Sequence, residues 1–235
     1  MTTAPQSAPS VSVGEAVRFG WGVARRNLVF FIVMFIVTTV VDGIPGKIQL
    51  ATKDTAPLIS SLAGLLGLVI GLVTSVGWTK ILLRFVDGET PTHADLYAHH
   101  PLFFKYFLVS LLTVLAIAAG FILFIIPGFL AAVRYSMSAF LVVDRGLGPI
   151  EAMRKSAEIT KGNRWALFVA GLALIGVIIL GVLALVIGVL WALPTVMVAG
   201  AFIYRRLSPR EPDAGAGVPV PALPGAPKEW WAAAR

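Results

Sequence analysis

The chain has 235 residues, 57% of them hydrophobic and 13% charged, with a mean hydropathy of +0.87. Ordinary soluble domains run at about 45–50% and about 25%, so a water-soluble globule is excluded and most of the chain belongs in hydrocarbon. The excess of 19 Lys and Arg over 12 Asp and Glu marks sidedness in a membrane chain rather than nucleic-acid binding, and zero cysteines exclude disulfides, thiol catalysis and thiolate metal sites.

A polar lead over residues 1–11 is expected to be disordered. Ser12 with Glu15 has the spacing of a capping box, followed by an amphipathic stretch from Glu15 to Asn27. Val13, Ala16, Val17, Gly20, Trp21 and Ala24 share its apolar face. The first span runs from Asn27 to Val41. Its polar lead and the VVDGIPGK that follows do not fit a cleaved signal peptide, so the segment is expected to be retained.

A bilayer core takes about 20 apolar residues per helix. Ala56 to Thr79 therefore crosses once. Tyr106 to Val143 holds two spans interrupted only by Arg134, with Pro127-Gly128 supplying the turn. Trp165 to Tyr204 is free of charge and must fold back between Ala184 and Gly188. Pro194 is expected to kink its second half unless neighbouring groups satisfy the freed carbonyl. The result is an all-α, six-span bundle over residues 12–207. The Pro-, Ala- and Gly-rich tail over 208–235 is expected to be disordered, its Trp230-Trp231 pair either touching the bilayer surface or free.

All Lys and Arg except Lys47, Lys53 and Arg134 fall on one side of this threading, which predicts cytoplasmic termini. That side also shows an internal repeat. EAVRFGWGVARRN (Glu15–Asn27) and EAMRKSAEITKGN (Glu151–Asn163) precede the first and fifth spans, and a weaker copy, THADLYAHHPLFFKYF, precedes the third. Three units follow, each an amphipathic helix and a transmembrane hairpin. Arg18, Arg25 and Arg26 in the first copy, with Arg154, Lys155, Lys161 and Arg164 in the last, are the candidate lipid- or partner-facing cations. They would meet anionic headgroups from helices lying at the interface. The alternative is that these helices only complete the bundle.

Two polar residues stand out within or beside the apolar stretches. With Pro127 at the outer surface, Arg134 lies about 10 Å deep, where a charge requires a partner or a water-filled space. It would pair with Asp42, line a polar vestibule, snorkel to the outer interface, or pin two helices. His93, Asp95, His99 and His100 have no metal-ligand spacing and read as a solvated cluster. Gly67 and Gly71 have the G-x-x-x-G spacing, which serves packing within the chain as readily as a dimer face. No nucleophile elbow, phosphate loop, dinucleotide fingerprint or metal set occurs.

PGFLAAVR (Pro127–Arg134), VDRGLGPIEA (Val143–Ala152), Ser156 and Thr160-Lys161-Gly162, with Val86-Asp87-Gly88 and AFIY (Ala201–Tyr204), resemble the membrane domain associated with glycerophosphoryl diester phosphodiesterases and its uncharacterised bacterial relatives. The likeness covers roughly Val13 to Leu207. It implies six spans in a bacterial cytoplasmic membrane and transfers no catalytic residue, because the short remaining tail is expected to hold no hydrolase domain. The resulting expectation is a non-enzymatic, cofactor-free component that organises or assists membrane proteins or lipids through basic cytoplasmic helices. The alternatives are a small transporter or channel with a vestibule at Arg134, and a hydrolase subunit whose partner supplies the active site. A continuous polar cavity containing Arg134 would favour transport, and a dry bundle with basic cytoplasmic grooves the first reading.

Overall fold

The computed structural model describes residues 12–97 and 102–209. The lead, the tail from 210 onward, and His99 and His100 lie outside them. Every regular element among the described residues is helical. Val13–Arg26 (α1) precedes the hairpin of Leu28–Thr52 (α2) and Pro57–Val86 (α3). A 3₁₀ turn over His93–Leu96 precedes Phe103–Leu123 (α4), Ile125–Tyr135 (α5) and Ser138–Arg145 (α6). Pro149–Ile159 (α7) precedes the hairpin of Arg164–Leu183 (α8) and Leu185–Leu207 (α9). Six segments are long and apolar enough to cross a bilayer: α2, α3, α4, α5 with α6, α8, and most of α9.

Local chemistry accounts for the boundaries. Ser12 Oγ accepts from Glu15 N–H at 3.5 Å, which starts α1. The reciprocal half of the box is not made, because the Glu15 carboxylate is held by Arg206. Pro57 and Pro149 each open a helix, where a missing N–H leaves no bond unmade. α3 and α6 end at Gly88 and Gly146, with φ of +78° and +65°, a left-handed conformation that glycine adopts without strain.

The buried core is concentrated at one end of the bundle. Ile81, Leu83 and Val86 of α3, Leu141 and Val142 of α6, Ala152 of α7 and Val198 to Tyr204 of α9 pack there, with Phe31 and Met34 of α2. The far ends of the hairpins present Leu58, Leu65, Ile122, Ile126 and Leu183 outward. Lipid tails solvate those side chains as well as another helix would, so nothing drives them together. α1 lies along α9: Phe19 stacks on Phe202 with ring centroids 4.8 Å apart, Trp21 meets Trp191 at 5.2 Å, and Gly20 abuts the Thr195 carbonyl. Its Ala16, Gly20 and Ala24 are buried against the bundle, which admits the close approach.

Several expectations change. The second hairpin turns at Phe124, in extended conformation between α4 and α5, and not at Pro127-Gly128. Pro127 sits in the first turn of α5, where the absent N–H is harmless. Gly128 faces Gly120, and a Cβ on Gly120 would come within 2.9 Å of Gly128 Cα. The third hairpin turns at Ala184, within the expected interval, and α9 runs through Pro194 as one helix. α2 extends well past Val41, so Asp42 and Lys47 lie inside it. The copy before the third span does not form an amphipathic helix among the described residues. Thr92 and Asp95 close a capping box on a 3₁₀ turn, and Leu96 is drawn against Gly77 on α3, where its carbonyl occupies the space of a side chain. Gly67 packs on Pro45 of α2 while Gly71 meets nothing within 4 Å, so of the glycine pair only Gly67 serves the hairpin.

Candidate functional site, a cationic groove at the packed end

The second helix of each unit finishes at the packed end, and each finish contributes one charged residue to a buried cluster. Arg205 of α9 donates from Nη1 and Nη2 to Asp144 of α6 at 2.9 and 3.1 Å, and from Nη2 to Asp87, which follows α3, at 2.7 Å. Tyr204 Oη donates to Asp144 at 2.7 Å. The three charged side chains are between 9 and 13% exposed. One guanidinium held between two carboxylates is a pin rather than a reactive site, since both carboxylates already accept from its Nη donors while its Nε is left without a partner. Nearby, Arg84 bonds Glu89 and Asp95, and His93 lies against Phe30 with ring centroids 4.6 Å apart. Asp95 is therefore paired, while His93 stays exposed, as expected of a solvated residue. No three potential metal ligands converge among the described residues.

A second constellation forms where α5 gives way to α6. Breaking the helix at Ser136 and Met137 frees the Arg134 carbonyl and the Met137 N–H from helical partners. Ser156 of α7 takes both: its Oγ donates to Arg134 O at 2.8 Å and accepts from Met137 N–H at 3.2 Å. Thr160 Oγ1 donates to Ser156 O at 2.8 Å and lies 3.4 Å from Arg134 O. Ser156 and Thr160 are fully buried, so this is a docking joint between α7 and the broken span.

The joint sets Arg134 beside the basic face of α7 and the start of α8. Arg134, Arg154, Lys161 and Arg164 line one open groove of about 560 Å³, with Glu158, and with Tyr135, Ile150, Met153 and Ala157 as its less polar wall. Glu158 accepts from Lys155 at 3.2 Å. Among the described residues none of the four groove cations is in an ion pair, and Arg164 Nε is buried without a hydrogen-bond partner. Phe129 of α5 meets Phe168 of α8 edge-on at 5.8 Å, which sets Arg134 level with the start of α8.

Arg134 thus belongs to the end that carries α1, α7 and the finish of α9. The outer-side depth assigned to it followed from placing the turn at Pro127; the true turn and the break after Tyr135 move it across. It does not pair with Asp42. Asp42 accepts from Thr74 Oγ1 of α3 at 3.0 Å, inside the first hairpin. Tyr97, outside the spans, is brought to the same place: burial, and then the Asp42 carboxylate, raise its pKa, while a hydrogen bond with Thr74 opposes the rise. Of the cations singled out in the sequence, Arg154, Lys161 and Arg164 converge with Arg134. Lys155 is beside them but paired, and Arg18, Arg25 and Arg26 lie exposed on α1, apart from the groove.

The residues that sequence reading passed over are Asp87, Asp144 and Arg205. Their signal was present: Val-Asp ends both α3 and α6, and Arg-Arg ends α9. The repeat is visible at the start of the units, whereas its chemistry meets at their finish.

A family model described as a protein of unknown function, DUF975, matches residues 58–211, from α3 through α9. A UPF0259 membrane protein of Pectobacterium carotovorum is 30% identical over 54% of this chain and 52% of its own length. A second, of Sodalis glossinidius, is 28% identical over 49% and 47%. The chain spans about half the length of these curated relatives. An uncharacterised protein of Mycobacterium tuberculosis is 23% identical over 94% of this chain and 74% of its own. The glycerophosphoryl diester phosphodiesterase membrane domain is not among the names these matches carry. No solved structure matches.

Proposed function

Because the chain belongs to the DUF975 family, a group of membrane proteins of unknown function, we propose from its own geometry that it is a non-enzymatic membrane component that holds anionic lipid in the groove between α5, α7 and α8. Four unpaired cations in one groove level with the start of a membrane span carry this reading. Each Lys or Arg near an anionic membrane surface contributes about 1 kcal/mol of attraction, and arginine adds bidentate recognition of phosphate. The termini and the groove then face the cytoplasm, in agreement with the distribution of Lys and Arg. The bound lipid, or membrane proteins gathered around it, would be what the protein organises. The likeness to the phosphodiesterase-associated membrane domain supports a shared architecture in which any hydrolase activity resides in a separate partner.

The test is lipid retention by the purified full chain in nanodiscs, with phosphatidylglycerol against phosphatidylcholine. Enrichment of the anionic lipid, reduced by Arg134→Gln with Arg164→Gln, is the expected result. Equal retention of both lipids overturns the proposal.

A second reading, a small transporter or channel, now draws on Asp42 rather than Arg134. A carboxylate inside α2, hydrogen-bonded to Thr74 of the facing helix, is the kind of intramembrane group that marks ion pathways. Proton or cation flux into proteoliposomes that is lost in Asp42→Asn would support it.

A further inference from the structure

We infer that the groove takes a lipid headgroup bearing two phosphate groups, an inference that rests on the anionic-lipid reading above and narrows it. The cations come from three separate elements: Arg134 from α5, Arg154 from α7, and Lys161 and Arg164 from the turn into α8 and its first residue. They surround about 560 Å³, a space far larger than one phosphate fills. One phosphate offers its oxygens to about two guanidinium forks; the remaining two cations would then have no anion in the groove. Glu158, which lines the same groove, bonds Lys155, so that pair adds no net charge to the four cations. Two phosphates, each between two of the four cations, leave none unpaired.

The occupant is a lipid rather than a free diphosphate because the groove opens beside apolar surface. Ile150 on its wall is 71% exposed, and Trp165, next to Arg164, is 76% exposed. Tryptophan at such a position is suited to the headgroup boundary, with its ring among acyl chains. The joint at Ser156 gives the site its rigidity, since it fixes where Arg134 leaves α5.

Competition in nanodiscs of the full chain tests this, with diphosphatidylglycerol, phosphatidylglycerol at twice the molar amount to equalise charge, phosphatidic acid and phosphatidylcholine as the probes. The two-phosphate lipid is expected to be retained about fivefold or more over each single-phosphate lipid, the ratio corresponding to about 1 kcal/mol. Arg134→Gln with Arg164→Gln should abolish that preference at unchanged melting temperature, while Arg18→Gln with Arg25→Gln should leave it intact. Phosphatidic acid retained as well as diphosphatidylglycerol, or phosphatidylglycerol equal to it at matched charge, overturns the inference yet leaves the anionic-lipid reading standing. Equal loss from both double variants also overturns it, by removing the groove as the source. Soluble inorganic diphosphate displacing the lipid at equal concentration overturns the lipid as occupant. Phosphatidylcholine retained equally with all of them removes the broader proposal as well.

Discussion

Arg205 donates to Asp87 at 2.7 Å across 118 residues of sequence and to Asp144 across 61, so one side chain joins the finishes of all three hairpin units. The pin lies within the packed end, beside the buried Leu83, Val86, Leu141 and Tyr204, and its two carboxylates also line a polar pocket of about 310 Å³ with Lys80 and Arg84.

Arg205→Gln leaves two buried carboxylates without the guanidinium that bridges them, with Lys80 as the nearby positive charge. The expected loss of stability is about 3–5 kcal/mol, read as a lower unfolding midpoint in detergent. The triple variant Asp87→Leu, Asp144→Leu, Arg205→Met removes the three pinned charges together, leaving Lys80 beside them, and should recover most of that loss. A single variant as stable as the parent would show that the cluster is hydrated and of little consequence.

Ser156→Ala removes both the donor to Arg134 O and the acceptor of Met137 N–H. With the joint buried, about 1–3 kcal/mol is expected from the unsatisfied groups. Hydrogen exchange at Met137 should accelerate in the variant, and an unchanged rate would mean that another group caps the break.

Gly77→Val places a side chain where the Leu96 carbonyl lies. The segment between α3 and α4 should detach, at a cost of roughly 1–3 kcal/mol, and become sensitive to limited proteolysis near residues 93–97. Gly71→Val, on the same helix but with nothing within 4 Å, should leave the digestion pattern as it was.

The chain has no cysteine, so single cysteines report sidedness cleanly. With a membrane-impermeant maleimide on intact cells, Lys53→Cys is expected to label and Lys161→Cys to label only after lysis. The reverse pattern would invert the topology drawn from the distribution of Lys and Arg.

The six spans and their hairpin pairing were legible because composition dictates them: an uncharged run too long for one crossing must fold back. The point of turning was less so. Pro127 is as compatible with the first turn of a helix as with a loop, and the sequence does not show that Phe124 turns instead. That displacement, together with the break after Tyr135 that docks the span on Ser156, sets Arg134 beside α7 instead of in the outer half of the bilayer. In the same way Asp42, at the end of an apolar run, read as a loop residue, whereas α2 continues through it.

By itself the chain determined its solvent, the number of its crossings, the distribution of its charge along the threading and the two amphipathic segments before the first and fifth spans, since all of these follow from local composition and periodicity against a bilayer of known thickness. Only tertiary structure decided which cations share a groove and which carboxylates are neutralised. Arg134 meets Arg154 and Arg164 because a helix breaks at Met137 and Ser156 fills the break. Asp87, Asp144 and Arg205 meet because three hairpins finish at one end. Such meetings depend on how helices far apart in sequence lie against one another, and hydrophobic patterning, the same for every lipid-facing helix, leaves that choice open.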